Sequence, residues 1–419
     1  MACDNMQKSM HHYENMRDSG IEWIGEVPSH WKTTRMKAIF RAKSVKNHPN
    51  AEVLSLYRDF GVLPKSSRDD NHNVTSEDTS QYKYVEKGNL VINKMKAWQG
   101  SLAISKYEGI VSPAYYVCEF RNAAVDKNYI HHLLRCVAYA QEFERLSTGM
   151  RIGQWDLGID DFMLVPVILP PLNEQKHIGH YLDAQCLKID TIISDAKTSI
   201  AEYKAWKSSI IYEAVTKGLD RNVEMKDSGV DIIGYIPKNW TLRRLKFLCS
   251  VMTGNQDTQN AVDNGIYPFY VRSPIVEHSN VYTYEGEGVL MAGDGAGAGR
   301  VFHHAFGKYA IHQRVYCFHD FHNILPDYFY YFMSELFKHE MDKGSAQSTV
   351  PSVRMPMIAN FQVCLPPIDE QRHIVKAIEK NCKLIDSVIA EKEQLIVDLA
   401  DYKKSLIFEG VTGKRRIIN

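Results

Sequence analysis

The sequence predicts an α+β fold in which two globular domains are separated by two long helices that form an antiparallel coiled coil, with a pseudo-two-fold internal repeat. Three observations lead to this prediction. The segment DSGIEWIGEVPSHW recurs as DSGVDIIGYIPKNW, the decapeptide LPPLNEQKHI recurs as LPPIDEQRHI, and a long heptad pattern follows each decapeptide. Repeats at a fixed separation indicate a duplicated structural unit. The chain of 419 residues is long enough for two cores.

The first repeat opens each globular block and carries a fixed Gly-x-x-P-x-x-Trp spacing. It starts at Asp18 and again at Asp227. The matching residues are Gly25, Pro28 and Trp31 in the first copy and Gly234, Pro237 and Trp240 in the second. A basic segment follows in both copies, so the likeness extends beyond the motif itself.

The second repeat marks the beginning of each long helix. Pro170 and Pro171 disfavour a helix before them, Asn173 is a suitable N-cap, and Glu174 falls in the first turn, where the helix dipole favours an anion. The second copy has Asp369 at the place of Asn173. Both segments are therefore predicted to start helices at matching positions.

Apolar residues recur at heptad spacing after both openings, which is typical of a coiled coil. The predicted seam consists of Leu182, Ile189, Ile193, Ile200, Tyr203, Ile210, Ile378, Ile385, Ile389, Ile396, Leu399 and Leu406. Ile192, Trp206, Leu395 and Tyr402 extend it as a second row. A helix of about 45 residues is roughly 65 Å long and needs a partner. Since a globular block separates the two helices in the chain, antiparallel pairing is the simplest arrangement. The alternative is that these residues merely build a core.

The globular blocks resemble each other far less than the helices do. GNLVINKMKAWQGSLAI near Gly88 and GVLMAGDGAGAGRVF near Gly288 both indicate a strand, a glycine-containing loop and a second strand. Strong similarity in the helices beside weak similarity in the blocks indicates that the helices share one role and that the blocks perform different versions of another.

Composition excludes several classes of protein. The eight cysteines are scattered without the CxxC spacing of a zinc or redox site, which indicates reduced core residues of an intracellular, cytoplasmic protein. Neither an apolar leader nor a membrane-spanning run is visible in the sequence. Fifty basic and fifty acidic side chains give zero formal charge, so charge alone does not favour nucleic acid as a ligand.

Taken together, these motifs resemble those of the specificity subunit of type I restriction-modification enzymes, over essentially the whole chain. The paired P-P-x-x-E-Q-x-x-I openings, the Gly-x-x-P-x-x-Trp segments and VSPAYYV at 111–117 carry the resemblance. The second block departs from it, with HQRVYCF starting at His312 in place of a second SPAYYV. The resemblance implies a leader (1–14), a first target recognition domain (15–168), a first helical spacer (169–219), a second recognition domain (220–364) and a second spacer (365–419).

In that family the two recognition domains each read one half of a gapped DNA site, and the helical regions bind methyltransferase subunits. The resemblance therefore implies a non-catalytic chain that binds an asymmetric bipartite site in double-stranded DNA. Its expected partners are two methyltransferase subunits and restriction/translocase subunits. S-adenosylmethionine is expected on the methyltransferase and ATP with Mg on the restriction partner, and no cofactor on this chain.

Motifs for catalysis or metal binding are weak in this sequence. Both Pro-Pro pairs follow a leucine, unlike an adenine-methylating motif, and GVTGKRR at Gly410 lacks phosphate-loop spacing. His177 and His180 lie one turn apart without a nearby third ligand, so no metal site is predicted. Two alternatives remain: a self-sufficient DNA methyltransferase or nuclease, and a coiled-coil protein scaffold without DNA readout.

Bases are read mainly by Arg, Lys, Asn and Gln, and such residues should lie on loops of a rigid scaffold. The glycine run GDGAGAGR fits a loop that approaches DNA closely, an ordinary hairpin turn or, less well, a dinucleotide site. The predicted DNA-binding residues are Lys65, Arg68, Lys94, Lys96, Trp98, Gln99, Arg151 and Gln154 in the first block, and Arg272, Asp294, Arg300, Gln313, Arg314, Gln347 and Arg354 in the second.

Overall fold

The computed structural model describes residues 12–58, 60–68, 75–121, 124–149, 155–344 and 351–417. The chain divides into two compact units, the first formed by 1–196 with 394–419 and the second by 197–393. Each unit holds one globular domain together with a part of both long helices. The borders of the units therefore lie within the long helices and not at the borders of the five predicted segments. The division into five segments stays a prediction.

The first domain is built around a four-stranded antiparallel sheet with the order β4-β11-β8-β9. The chain between β4 and β11 also forms two two-stranded sheets, β5-β6 and β10-β7. Its strands are β1 (Met16–Asp18), β2 (Glu26–Pro28), β3 (Lys32–Arg35), β4 (Phe40–Lys43), β5 (Leu54–Tyr57), β6 (Gly61–Pro64), β7 (Lys83–Val85), β8 (Leu90–Asn93), β9 (Leu102–Ile104), β10 (Gly109–Val111), β11 (Tyr115–Phe120) and β12 (Pro166–Leu169). Its helices are α1 (Met36–Ile39), α2 (Lys127–Arg135), α3 (Val137–Leu146) and α4 (Ile159–Leu164).

The second domain repeats this plan around the sheet β16-β23-β20-β21 and adds a second sheet, β18-β17-β22-β19, in which β17 and β22 are parallel. Its strands are β13 (Met225–Asp227), β14 (Tyr235–Pro237), β15 (Thr241–Arg244), β16 (Ser250–Thr253), β17 (Tyr267–Tyr270), β18 (Glu277–Ser279), β19 (Tyr284–Glu285), β20 (Gly288–Ala292), β21 (Phe302–Ala305), β22 (Lys308–Ile311), β23 (Val315–His319) and β24 (Gln362–Leu365). Its helices are α6 (Pro326–Leu336), α7 (Lys338–Gly344) and α8 (Met355–Asn360); α5 and α9 are the long helices described below.

Local sequence explains the central strands and the first helix of each domain. Strands β8 and β20 are buried along their whole length and are apolar except for Asn93 at the end of β8, because both faces are covered. Helix α2 starts where the Asp126 carboxylate accepts a hydrogen bond from the Tyr129 amide, and α6 starts at Pro326, whose fixed φ suits a first helical turn.

The long helices are α5 (Leu172–Lys217) and α9 (Ile368–Thr412), which agrees with the predicted fold class. Helix α5 begins one residue before Asn173, so Asn173 is in the first turn and the prediction of an N-cap there was wrong. Ends of helices vary by a residue or two because the first turn lacks internal hydrogen bonds.

The two helices run antiparallel within each unit. In the first unit, Lys403 at the end of α9 donates to Asp190 near the start of α5, at 2.7 Å. In the second unit, Lys207 donates to Asp386 at 2.7–2.8 Å. Each pair involves residues that the repeat aligns, since Asp386 matches Asp190 and Lys403 matches Lys207. These exposed ion pairs add little stability, but they define the same register in both units.

All twelve predicted seam residues are buried or half-buried. The second row was partly wrong, because four of its members are exposed: Ile192, Trp206, Leu395 and Tyr402. The ends of the seam belong to the domain cores. Leu182 and Leu406 are in the same core cluster as Trp31 in the first unit, and Ile378 is in the same cluster as Trp240 in the second. Each globular domain therefore shares its core with both long helices. Among the described residues, no helix has the length and apolar character needed to cross a bilayer.

Candidate DNA interface

Two loops of the first domain meet beside the edge of its main sheet. The first hairpin loop (94–101) joins β8 to β9, and the first return loop (147–158) lies between α3 and α4, with 147–149 and 155–158 described. The Leu157 amide donates to the Lys94 carbonyl at 3.0 Å, and the Lys94 ammonium donates to the Asp156 carboxylate at 2.8 Å. The rings of Trp98 and Trp155 lie edge to face with centroids 5.4 Å apart. Backbone, charge and aromatic contacts thus hold the two loops together.

The second domain pairs the corresponding loops. The second hairpin loop (293–301) joins β20 to β21, and the second return loop (345–354) lies between α7 and α8, with 351–354 described. The Val353 amide donates to the Gly293 carbonyl at 2.7 Å, and the Gly295 amide donates to the Pro351 carbonyl at 3.0 Å. The separation of Leu157 and Val353 in the chain equals that of Leu169 and Leu365, so Leu157 and Val353 occupy equivalent positions in the two copies. The same pair of loops therefore recurs in both domains.

Glycine is required in the second hairpin loop for steric reasons. A Cβ at Gly297 would lie 2.5 Å from the Arg272 carbonyl, and Gly295 and Gly299 have φ of +75° and +64°. Side chains other than glycine rarely adopt these conformations. The glycines allow the loop to pack against the backbone that carries Arg272. The loop connects two antiparallel strands, so the dinucleotide alternative, which needs a following helix, is not supported.

Asp294 contacts two arginines in the second domain. Its carboxylate accepts a hydrogen bond from Arg272 at 2.9 Å and lies 3.7 Å from the Arg314 Nε. Beside it, Gln313 donates to Asp257 at 2.6 Å. Burial, followed by the charge of Arg272, lowers the pKa of His312, whose Nδ1 accepts from the Arg314 amide at 3.0 Å. This neutral imidazole thus orients the strand end that carries Arg314.

Lys94 of the first hairpin loop has a second lysine, Lys83, within electrostatic range. The hydrogen bond to Asp156 raises the pKa of Lys94, so its ammonium stays charged. Burial lowers the pKa of Lys83, and the nearby charges of Lys46 and Lys94 lower it further. Lys83 donates to the Tyr115 carbonyl at 2.6 Å. Sequence reasoning missed Lys46 and Lys83, although Tyr115, in the VSPAYYV stretch, was an available signal.

The remaining predicted residues are distributed around these loops. Lys96 is exposed and Gln99 half-buried in the first hairpin loop, and Arg354 is exposed at the start of α8. Lys65 donates to Thr75 at 2.5 Å, and the guanidinium of Arg68 lies 4.1 Å from the Phe60 ring centroid, beside the β5-β6 hairpin. Arg300 donates to Asp342 at 2.5 Å. Arg151, Gln154 and Gln347 lie outside the described residues.

The thiols of Cys118 and Cys136 are buried in the first domain. Burial raises the pKa of the Cys118 thiol to about 12 and that of Cys136 to about 11, so both remain protonated near neutral pH. His177 and His180 are exposed on α5. Within the described ranges, no group of three or more His, Cys, Asp or Glu side chains has the arrangement of a metal site.

Comparison with known proteins identifies the family. The profile described as "Type I restriction modification DNA specificity domain" matches residues 28–200 and 237–396. The chain is 24% identical over 370 residues to the type I restriction enzyme MjaVIII specificity subunit of Methanocaldococcus jannaschii, covering 81% of this chain and 84% of that protein. It is 25% identical over 181 residues to the EcoDI specificity subunit of Escherichia coli, covering 43% and 40%.

Two solved structures share the fold. One is described as "Structural basis underlying complex assembly and conformational transition of the type I R-M system" (TM-score 0.69, 13% identity, covering 92% of this chain and 98% of that one). The other is the HsdS subunit from Thermoanaerobacter tengcongensis (TM-score 0.52, 12% identity, covering 92% and 98%). With two matched specificity domains and two α+β domains on shared helices, the chain belongs to the family of type I restriction-modification specificity subunits.

Proposed function

We propose that the chain reads a gapped, asymmetric DNA site with the hairpin and return loops of its two domains and that it carries no catalytic activity of its own. The observation behind this proposal is the recurrence of one loop pair with different side chains. The first pair presents Lys94, Lys96 and Trp98. The second presents Asp294 on a glycine-rich frame, and Asp294 holds Arg272 and Arg314 of two neighbouring segments. Unlike side chains on a shared frame favour unlike half-sites.

The residue types fit reading of base edges. Arginine and lysine bind the O6 and N7 of guanine, glutamine binds adenine, and a carboxylate accepts from cytosine N4. Lys83, which feels the charges of both Lys94 and Lys46, supplies charge suited to backbone phosphates. Because the formal charge of the whole chain is zero, we expect its affinity for DNA without partners to be modest and sensitive to salt.

We further propose that two methyltransferase subunits bind the long helices and that restriction/translocase subunits join them. Trp206 and Tyr402, which the repeat aligns, are 55% and 46% exposed on α5 and α9. Exposed aromatic residues are frequent anchors of protein interfaces. The methyltransferase would bring S-adenosylmethionine, and the restriction partner would bring ATP and Mg.

The direct test of this function uses the purified chain with and without its methyltransferase. Methyl transfer is expected only from the complex, and sequencing of methylated adenines in cells that express both should return a two-part motif with unequal halves. Robust methyl transfer or cleavage by the chain alone would favour the enzyme alternative. The absence of a sequence-dependent footprint from the complex would favour the scaffold alternative.

Asp294→Asn is expected to reduce discrimination between target and unrelated DNA. The substitution removes the charge that holds Arg272 and Arg314, so both guanidiniums become available to any phosphate. We expect affinity for unrelated DNA to rise about three- to tenfold, and log K to depend more steeply on salt by about one phosphate contact. Titration of labelled target and scrambled duplexes with the complex, at several salt concentrations, measures both. An unchanged ratio of the two affinities would contradict the prediction.

Trp206→Ala and Tyr402→Ala are each expected to remove one of two methyltransferase subunits. Truncation of a central aromatic anchor costs about 2 kcal/mol or more in binding, or about thirtyfold. Light scattering after size-exclusion chromatography should show one bound subunit for each single variant and none for the double variant. Lys197→Ala, on the opposite face of α5 from Trp206, is the matched control. Two bound subunits in the double variant would refute this docking surface.

A further inference from the structure

Each long helix is joined to its recognition domain by the glutamine of its P-P-x-x-E-Q opening. The side-chain oxygen of Gln175 accepts from the Asp126 amide at 2.8 Å, while its Nε2 donates to the Pro170 carbonyl at 2.8 Å. Gln371 does the same with the Leu325 amide at 2.8 Å and the Pro366 carbonyl at 2.9 Å. The two glutamines are only 2% and 0% exposed. They connect the start of a long helix to the start of the first larger helix of the domain.

The preceding glutamate makes a second link. Glu174 accepts from the indole Nε1 of Trp31 at 3.1 Å, and Glu370 accepts from Trp240 at 3.0 Å. Both tryptophans end a Gly-x-x-P-x-x-Trp segment and lie in the domain cores. The two repeats found in the sequence are therefore partners in space. His30 at 2.9 Å and Tyr13 also contact Glu174 in the first unit.

A buried tyrosine adds a third link, this time to the end of the other long helix. The Tyr129 hydroxyl lies 3.0 Å from both the Ile168 carbonyl, on the last strand of the domain, and the Val411 carbonyl. The Tyr328 hydroxyl lies 3.2 Å from the corresponding Cys364 carbonyl and 2.9 Å from Val215. In each unit the domain is thus tied to both helices. We call the Glu, Gln, Trp and Tyr of a unit its junction.

The junction residues are suited to positioning rather than to contact with a partner. Gln371, Trp240 and Tyr328 are fully buried, so their polar atoms are committed to the hydrogen bonds described above. Buried polar groups with several fixed partners specify one geometry, since any rotation of the domain would break several bonds at once. The repeated P-P-x-x-E-Q motif would then fix the angle between each domain and its long helix.

We propose that the two junctions set the spacing of half-sites that the complex accepts, by fixing each recognition domain on its helices. This inference rests on the proposed function. One base pair displaces a half-site by about 3.4 Å along the duplex, and a misplacement of about 1 Å can cost about a hundredfold in rate. A domain held at one angle therefore rejects wrong spacings, and a loosened domain tolerates them.

Glu370→Ala tests the proposal, with Glu370→Gln as its matched control, because glutamine keeps an oxygen that accepts from Trp240. The methyltransferase complex of each variant is assayed on duplexes that carry the mapped half-sites at the native spacing and at one base pair more or fewer. We expect Glu370→Ala to lower the ratio of methylation rates, native to altered spacing, at least about fivefold. Glu370→Gln should retain the wild-type ratio, and both variants should still bind two methyltransferase subunits.

The outcomes separate this inference from the proposed function. If Glu370→Ala slows methylation equally at all spacings, the residue contributes only to stability and the inference is wrong. If the variant loses methyltransferase subunits, the motif is a docking surface and the inference is wrong as well. If the wild-type complex methylates no bipartite target, the proposed function itself fails. Tyr328→Phe, which removes one hydroxyl and keeps the ring, should shift the ratio in the same direction as Glu370→Ala.

Discussion

Replacing both Arg272 and Arg314 with alanine is expected to weaken binding of the complex to its target DNA by at least about thirtyfold. A well-placed arginine contributes about 1–3 kcal/mol of base discrimination, so two contribute about 2–6 kcal/mol. The double variant also leaves the Asp294 carboxylate without its two cationic neighbours, which adds repulsion from phosphates. Titration of the reconstituted complex with fluorescent target and scrambled duplexes measures the loss.

The comparison between the two duplexes distinguishes base reading from phosphate contacts. If the arginines read bases, target binding falls far more than scrambled binding, whereas phosphate contacts would weaken both equally and flatten the salt dependence. Arg221→Ala is the matched control, because Arg221 lies outside the loops with its side chain 93% exposed. Target affinity within about threefold of wild type for the double variant would contradict a role of Arg272 and Arg314 in recognition.

Trp240→Ala is expected to lower the free energy of unfolding of the second unit by about 3–5 kcal/mol. The side chain is fully buried in the core, and its loss also leaves Glu370 without its indole donor. For a unit of about 200 residues this corresponds to a melting temperature lower by about 6–20 °C. Differential scanning calorimetry of the full chain measures the shift.

A second tryptophan controls for the loss of an aromatic side chain. Trp206 is 55% exposed, so Trp206→Ala should change the free energy of unfolding by no more than about 0.5 kcal/mol. Trp240→Phe should lie between the two variants, since it keeps a ring in the cavity but not the hydrogen bond to Glu370. Equal melting temperatures for Trp240→Ala and Trp206→Ala would show that the junction does not stabilise the second unit.

The candidate interface was predictable only in part. The order of strand, glycine loop and strand around Gly293 followed from the alternation of apolar residues and turn formers. Asp294, Arg272 and Arg314 were predicted as DNA-binding residues, but their contacts with one another were not. The return loops were harder, because Asp156 and Val353 reach the hairpin loops from more than 50 residues away in the chain. Such pairings depend on the sheet order, which local patterns do not encode. Lys83 was missed because it lies within a strand.

The heptad pattern predicted the seam residues well but was less informative about the residues beside the seam. Ile192, Trp206 and Tyr402 have helical spacing and apolar side chains, and yet they face solvent. An antiparallel pair of helices has one narrow seam, so an apolar residue beside it is exposed unless a further partner covers it. Sequence period alone does not distinguish a core position from an interface position.

The sequence by itself determined the duplication, the two long helices with their heptads, and the family, because these depend on local spacing and on repeated motifs. Only the tertiary structure decided what the repeated motifs do. The glutamate of one motif and the tryptophan of the other are hydrogen-bond partners more than 120 residues apart. The end of α9 contacts the first domain, and the end of α5 contacts the second domain. Such contacts form because burial of the two cores brings distant backbone and side-chain groups together, where each buried polar atom must find a partner.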